Sequence, residues 1–69
     1  MARPEDPERL WSADRLAEHL GIPVGTLAKW RYAQTGPRYL KIGKYVRYRP
    51  GDVRRWEEEQ FAPTREEAF

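Results

Sequence analysis

The chain has 69 residues, which is enough for one small domain. It contains no cysteine and one histidine, which excludes disulfides, thiolate metal sites and metal sites built on several histidines. No apolar run approaches the roughly 20 residues that a membrane span needs, and residues 1–8 lack the apolar stretch of a signal peptide. We therefore expect a soluble, cytoplasmic protein.

The net charge of +2 is unevenly distributed along the chain. Residues 1–28 contain three basic and five acidic side chains, residues 29–55 contain nine basic and one acidic, and residues 56–69 contain one basic and five acidic. A basic centre between acidic flanks is typical of a protein that binds a polyanion such as nucleic acid. The alternative, on charge alone, is a solvated basic surface without a partner.

The first predicted helix follows a lead-in, residues 1–9, that we expect to be disordered. Ser12 is a favourable N-cap, and apolar residues then recur at the i, i+3, i+4 and i+7 positions of one helical stripe. Glycine is favourable just beyond the end of a helix, so Gly21 marks the stop. Together these signals predict a helix from Ala13 to Leu20.

The second predicted helix follows the turn Gly21-Ile22-Pro23 and runs from Val24 to about Ala33, where Thr35-Gly36-Pro37 ends it. Two helices joined by a short turn that contains glycine are typical of a helix-turn-helix. Leu27 and Trp30 are expected to face the first helix. The positions predicted to point inward are Val24, Leu27 and Trp30.

Alternating apolar and polar residues from Tyr39 to Tyr48 predict two short strands that form a hairpin. Gly43-Lys44 lies between them as a two-residue type II′ turn, which requires a positive φ at its first central position. Leu40 and Ile42 are predicted to share one face. The side chains predicted on the opposite face are Lys41, Tyr45 and Arg47, with Lys44 at the tip.

The third predicted helix starts near Pro50 to Asp52 and ends at about Gln60. Val53 and Trp56 are expected to face inward. The consecutive glutamates Glu57–Glu59 fan around the helix, so we expect them to be largely solvated.

The order helix, turn, helix, hairpin, helix predicts a winged helix-turn-helix over residues 10–61, mainly α with a small β-hairpin, the wing. Residues 62–69 form a short acidic tail in which Thr64 and Glu67 have capping-box spacing. The tail is too short to make a stable helix alone, so it is either disordered or ordered against a partner.

Several segments between Leu10 and Gln60 also carry a resemblance to a known family. They are Trp11-Ser12-Ala13, Leu20-Gly21-Ile22-Pro23, Thr26 to Arg31, Gly36-Pro37, Lys41 to Tyr48, and Asp52 to Trp56. This ordered set resembles the excisionases of phages and mobile elements, which are recombination directionality factors with a winged helix-turn-helix of the MerR-like type. The chain departs from the pattern at Val24-Gly25, where relatives often carry polar or basic residues.

The resemblance and the geometry of winged folds predict which side chains contact double-stranded DNA. The N-terminal part of the second helix enters the major groove, and a basic wing tip reaches the adjacent minor groove. For the wing, the alternative is an exposed hairpin with solubilising charge; for the arginines, it is a structural ion pair. The predicted DNA-contacting residues are Val24, Gly25, Thr26 and Lys29 on the helix, Lys41, Lys44, Tyr45 and Arg47 on the wing, and Arg31, Arg38 and Arg49 at phosphates.

The resemblance implies an excisionase that binds repeated attachment sites, bends the DNA and contacts an integrase in a bacterial host, at the nucleoid. Side-by-side binding, with the acidic end of one copy against the basic centre of the next, would supply affinity that one small domain lacks. A small winged-helix transcriptional regulator is the alternative, although such regulators commonly carry a further domain for which this chain has no room. A third reading is a protein-interaction module that has lost DNA binding.

No arrangement of side chains in the sequence suggests catalysis. Ser12 is interpreted as a helix cap rather than a nucleophile, and His19 as an exposed helix residue. We therefore expect no enzymatic activity, no cofactor, no metal and no small-molecule ligand.

Overall fold

The computed structural model describes residues 9–61. The predicted lead-in up to residue 8 and the predicted tail, residues 62–69 with Thr64 and Glu67, lie outside the described residues. None of the helices in residues 9–61 combines the length and the apolar composition that a membrane span requires. The elements are β1 (Trp11–Ser12), α1 (Ala13–Leu20), α2 (Val24–Tyr32), β2 (Leu40–Ile42), β3 (Tyr45–Tyr48) and α3 (Pro50–Glu59).

Helix α1 begins and ends at the predicted residues. Ser12 is extended (φ −76°, ψ 166°), and its Oγ accepts a hydrogen bond from the Arg15 N–H at 3.1 Å. Gly21 is left-handed with φ 72°, which lets its N–H and that of Ile22 donate to the Ala17 carbonyl at 2.8 and 3.0 Å. Both ends are thus satisfied by residues within a few positions of the helix, which is why the sequence predicts them.

Helix α2 ends one residue before its predicted limit, in a left-handed turn without glycine. Gln34 has φ 60°, and it is the one non-glycine residue of the described chain with a positive φ. The Gln34 N–H donates to the Arg31 carbonyl at 3.1 Å, and the Thr35 N–H donates to the Trp30 carbonyl at 2.8 Å. This pair of bonds is a Schellman motif. It turns the chain back across Trp30 toward the wing.

The sheet has three antiparallel strands in the order β1-β3-β2, one more than predicted. In β1, Trp11 pairs with Tyr48 and Ser12 pairs with Arg47. A strand of two residues is too short to show alternation, so the sequence carries no signal for it. The predicted fold class is confirmed: three helices and a small antiparallel sheet form a winged helix-turn-helix.

The register of the wing corrects the predicted distribution of its side chains. Leu40 pairs with Arg47, and Ile42 pairs with Tyr45. Directly paired residues of an antiparallel ladder lie on the same face, so Tyr45 and Arg47 share a face with Leu40 and Ile42. The prediction that they lie opposite is wrong. A two-residue turn pairs the two residues that flank it, and this shifts the alternation between the strands.

The turn itself is as predicted. Gly43 has φ 62°, and Lys44, as the second central residue, does not have a positive φ. These signs distinguish type II′ from type I′, in which both central residues have positive φ. A two-residue turn of this type pairs Ile42 with Tyr45, so the observed register agrees with the turn that the sequence indicates.

The core joins all three helices to the sheet. Its buried members are Leu16 and Ala17 of α1, Leu27 of α2, Tyr48 of β3 and Val53 of α3. Packed around them and partly buried are Trp11, Ala13, Leu20, Ile22, Trp30 and Val46.

Of two α2 side chains predicted to face inward, Trp30 does so and Val24 does not. The ring of Trp30 pairs with that of Trp56 in α3, with 5.4 Å between centroids, in addition to packing on the core. Val24 is 44% exposed, so the prediction that it points inward is wrong. The buried side of α2 is centred between Leu27 and Trp30, and Val24 lies about a quarter of a turn beyond it.

A polar contact ties α1 to α3. His19 Nε2 lies 2.7 Å from Glu57 Oε2, and the His19 ring also meets the ring of Trp11 edge-on at 4.9 Å. His19 is exposed, as predicted. Glu57 is half-buried and partnered rather than solvated, which corrects the prediction for this one of the three glutamates.

Candidate nucleic-acid interface

One side of α2 is exposed to solvent. Its exposed residues follow the spacing i, i+1, i+4, i+5 and i+8, which places them on a single helical face. The outer face of α2, as we call it, consists of Val24, Gly25, Ala28, Lys29 and Tyr32. Tyr32 is 93% exposed, which is unusual for an aromatic side chain.

Three of the predicted contact residues in α2 lie on this outer face, and a fourth borders it. Val24, Gly25 and Lys29 are exposed, whereas Thr26 is half-buried at the margin. Sequence reasoning missed Ala28 and Tyr32, although both follow from the helical spacing once Lys29 is known to point outward.

Gly25 is in the first turn of α2, and its surroundings are open. A Cβ built there would meet no atom within 4 Å, and its φ is not in the left-handed region. Neither packing nor backbone conformation requires glycine at this position. Within residues 9–61, glycine at position 25 has no structural explanation.

Arg31 has an internal partner. It is half-buried, its Nη1 donates to the Tyr48 hydroxyl at 2.8 Å, and its guanidinium carbon lies 5.9 Å from the centre of the Tyr39 ring. The bond holds α2 to the middle strand of the sheet. One side chain thus connects the helix and the wing, and this fixes their relative position.

The wing carries cations around an exposed tyrosine. Lys44 is exposed at the tip with its Nζ 5.8 Å from the Tyr45 ring centre, and the guanidinium carbon of Arg47 lies 5.4 Å from the same centre. Arg47 also donates from Nη1 to the Val46 carbonyl at 2.8 Å. Ile42 is exposed beside Tyr45 on this face. Lys41 is exposed on the other face of the hairpin.

Arg38 and Arg49 flank the wing in sequence and are both exposed. Arg49 precedes α3, and its carbonyl accepts the Val53 N–H at 3.0 Å. Arg38 borders a shallow cleft together with Asp52, Arg55 and Glu59 of α3. Across residues 9–61, neither Arg38 nor Arg49 forms a salt bridge, so both cations are available to an anion.

The arrangement as a whole is a basic, half-apolar helix face beside a cationic hairpin. A family model for helix-turn-helix domains matches residues 12–60. No curated protein and no solved structure matches the chain significantly. The matching family includes excisionase-like DNA-binding domains, is typically non-enzymatic, and implies binding to double-stranded DNA. Since the match covers most of the chain and every described helix and strand from Ser12 onward, this protein belongs to the family of helix-turn-helix domains.

Proposed function

We propose that this protein is an excisionase, which binds and bends attachment-site DNA in the bacterial cytoplasm and so directs an integrase toward excision. The observation that carries the proposal is the composition of the outer face of α2. Lys29 is its only charged side chain, and Val24, Gly25 and Ala28 form no hydrogen bonds through their side chains. Recognition then depends on phosphate contacts and DNA shape, which suits a protein that deforms DNA.

In this proposal α2 lies in the major groove with its N-terminal end nearest the base edges. Val24, Gly25, Thr26 and Lys29 are the residues placed there. The wing reaches the neighbouring minor groove, led by Lys44 at the tip. The wing residues assigned to DNA are Lys41, Lys44, Tyr45 and Arg47.

The phosphate backbone is assigned to side chains around these two elements. Arg38 and Arg49 are exposed cations without a salt bridge in the described chain. Arg31 uses one of the five N–H donors of its guanidinium in the hydrogen bond to Tyr48. A contact with a phosphate is therefore compatible with this structural bond. Tyr32 can donate its hydroxyl to a phosphate from the end of α2.

The first test is binding and bending of duplex DNA. A duplex is selected by the protein from a synthetic random pool and labelled at both ends for energy transfer. We expect binding to shorten the end-to-end distance. Binding with no change in distance would contradict the bending role and favour a small transcriptional regulator of the same fold.

Variants of the basic surface test the assigned contacts. Lys29→Ala and Arg47→Ala should each weaken binding to the selected duplex while the thermal unfolding transition is retained. Lys29→Arg, which keeps the charge, is the matched control and should retain most of the affinity. Equal affinity of Lys29→Ala and the wild type would remove Lys29 from the interface.

Head-to-tail association on DNA is a further part of the proposal. Glu58 and Glu59 are exposed at the end of α3, and the wing of a neighbouring copy is basic. A duplex with two adjacent sites should bind cooperatively. Glu58→Gln with Glu59→Gln should reduce this cooperativity and leave the affinity for a single site unchanged. Full cooperativity in the double variant would rule out contact through these carboxylates.

A further inference from the structure

Helix α2 has few polar side chains that could form hydrogen bonds with the edges of bases. Of its three polar or charged residues before Tyr32, Arg31 is half-buried and donates to the Tyr48 hydroxyl, and Thr26 is half-buried at the margin of the outer face. Lys29 is the remaining one, and it is exposed. The arginine that would most readily form a bidentate contact with guanine is thus held by the fold rather than aimed outward.

The N-terminal half of the outer face is instead apolar and shallow. Val24 is 44% exposed, Ala28 is exposed one helical turn later, and Gly25 between them has no side chain. Apolar atoms pressed against the polar edges of bases would leave donors and acceptors without partners, which costs free energy. A helix with this surface is favoured only over base edges that are themselves apolar.

In the major groove, the 5-methyl group of a pyrimidine is the apolar feature of a base edge. Thymine carries this group, and cytosine carries it only when methylated. We propose that α2 reads thymine through its 5-methyl group, with the methyl groups of Val24 and Ala28 packed against thymines of successive base pairs. Gly25 lets the helix approach closely enough for these contacts. The inference rests on the proposed entry of α2 into the major groove.

The experiment compares thymine with deoxyuridine, which lacks only the methyl group. The duplex selected from the unmodified random pool is resynthesised with deoxyuridine at each thymine in turn. Burial of one methyl-sized group corresponds to about a fourfold change in affinity. We therefore expect the dissociation constant to rise about fourfold at each contacted thymine and to stay unchanged at the others.

Two variants assign the effect to α2. Val24→Ala shortens the contacting side chain, so the ratio of the dissociation constants for the deoxyuridine and thymine duplexes should fall toward one at the position that Val24 contacts. Lys29→Ala is the matched control from the same face. It should weaken binding to both duplexes by the same factor and leave their ratio unchanged.

The outcomes separate this inference from the proposed function. If no duplex binds, the proposed function itself fails. If every duplex with a deoxyuridine binds as tightly as the unmodified duplex, DNA binding stands and methyl recognition is overturned. A second pool, in which 5-methylcytosine replaces cytosine, distinguishes the two sources of the group. We expect thymine to be selected again, and selection of 5-methylcytosine at those positions would overturn the assignment to thymine.

Discussion

Gly36 illustrates how a single residue closes the helix-turn-helix against the wing. Its φ is 85°, and a Cβ at this position would lie 2.8 Å from Cε3 of Trp30. The backbone therefore passes directly over the indole ring. Both the conformation and the contact require glycine here, whereas at Gly21, with φ 72° and no atom within 4 Å of a Cβ, only the conformation does.

We therefore expect Gly36→Ala to destabilise the protein more than the control substitution Gly21→Ala. Each substitution places alanine in the left-handed region, which costs about 1–2 kcal/mol. Gly36→Ala also forces the Trp30 contact apart, at a further cost of about 1–3 kcal/mol. Urea unfolding should show a larger loss of stability for Gly36→Ala. Equal losses would mean that the turn moves away from Trp30 without cost.

For Gly25→Ala we expect no loss of stability, in contrast to Gly36→Ala. Alanine fits the folded chain there, and it favours a helix over glycine by up to about 1 kcal/mol. We expect Gly25→Ala to unfold at the same or a higher denaturant concentration and yet bind the selected duplex more weakly, because the added methyl group separates the helix from the DNA. Wild-type affinity in this variant would mean that the DNA does not approach position 25 closely.

At the scale of elements, the bond from Arg31 to Tyr48 couples α2 to the sheet. The Tyr48 side chain is almost fully buried, so loss of the hydrogen bond from Arg31 would leave its hydroxyl without a partner in the core. β1 reinforces the same strand through the pairing of Trp11 with Tyr48. The helix and wing that we assign to the two grooves are thus held by one residue of β3.

A double-mutant cycle measures this coupling. Tyr48→Phe should lower the free energy of unfolding by about 1.5–3 kcal/mol, since the lost bond has a charged donor. In an Arg31→Met background the same substitution should cost much less. Tyr39→Phe is the control, because Tyr39 meets Arg31 through its ring. Additive losses for Arg31 and Tyr48 would show that the bond contributes nothing to stability.

At the scale of the whole molecule, the excess of positive charge lies in residues 29–55, which run from the second half of α2 through the wing into α3. Nine of the basic side chains lie in residues 29–55, against one acidic residue. Attraction of this surface to phosphates releases counterions, so the affinity for DNA must fall as salt rises.

The size of this salt effect is a prediction. Contacts with about five to seven phosphates give a slope near −5 in a plot of log affinity against log salt concentration. Lys44→Ala should reduce the magnitude of the slope by about one, and Glu58→Gln should leave it unchanged for a single site. A flat response in gel shifts would exclude phosphate-driven binding and favour a module that binds proteins instead.

Features that depend on near neighbours along the chain are predictable from the sequence. The cap at Ser12, the stop at Gly21 and the II′ turn at Gly43 were predictable because each is satisfied by groups within a few residues. The basic centre was likewise readable, since charge is a property of composition. These features suffice for the fold class and for the elements that we assign to DNA.

Features that depend on contacts between residues distant in sequence become visible when the chain is folded. The pairing of Trp11 with Tyr48 creates a third strand, and Arg31, predicted to contact a phosphate, also forms a structural hydrogen bond with Tyr48. Val24 faces outward because α2 turns Leu27 and Trp30 toward its neighbours. Helical periodicity gives the spacing of the buried residues of a helix. It does not show whether a residue at the edge of the buried face is covered, because that depends on where the other elements pack.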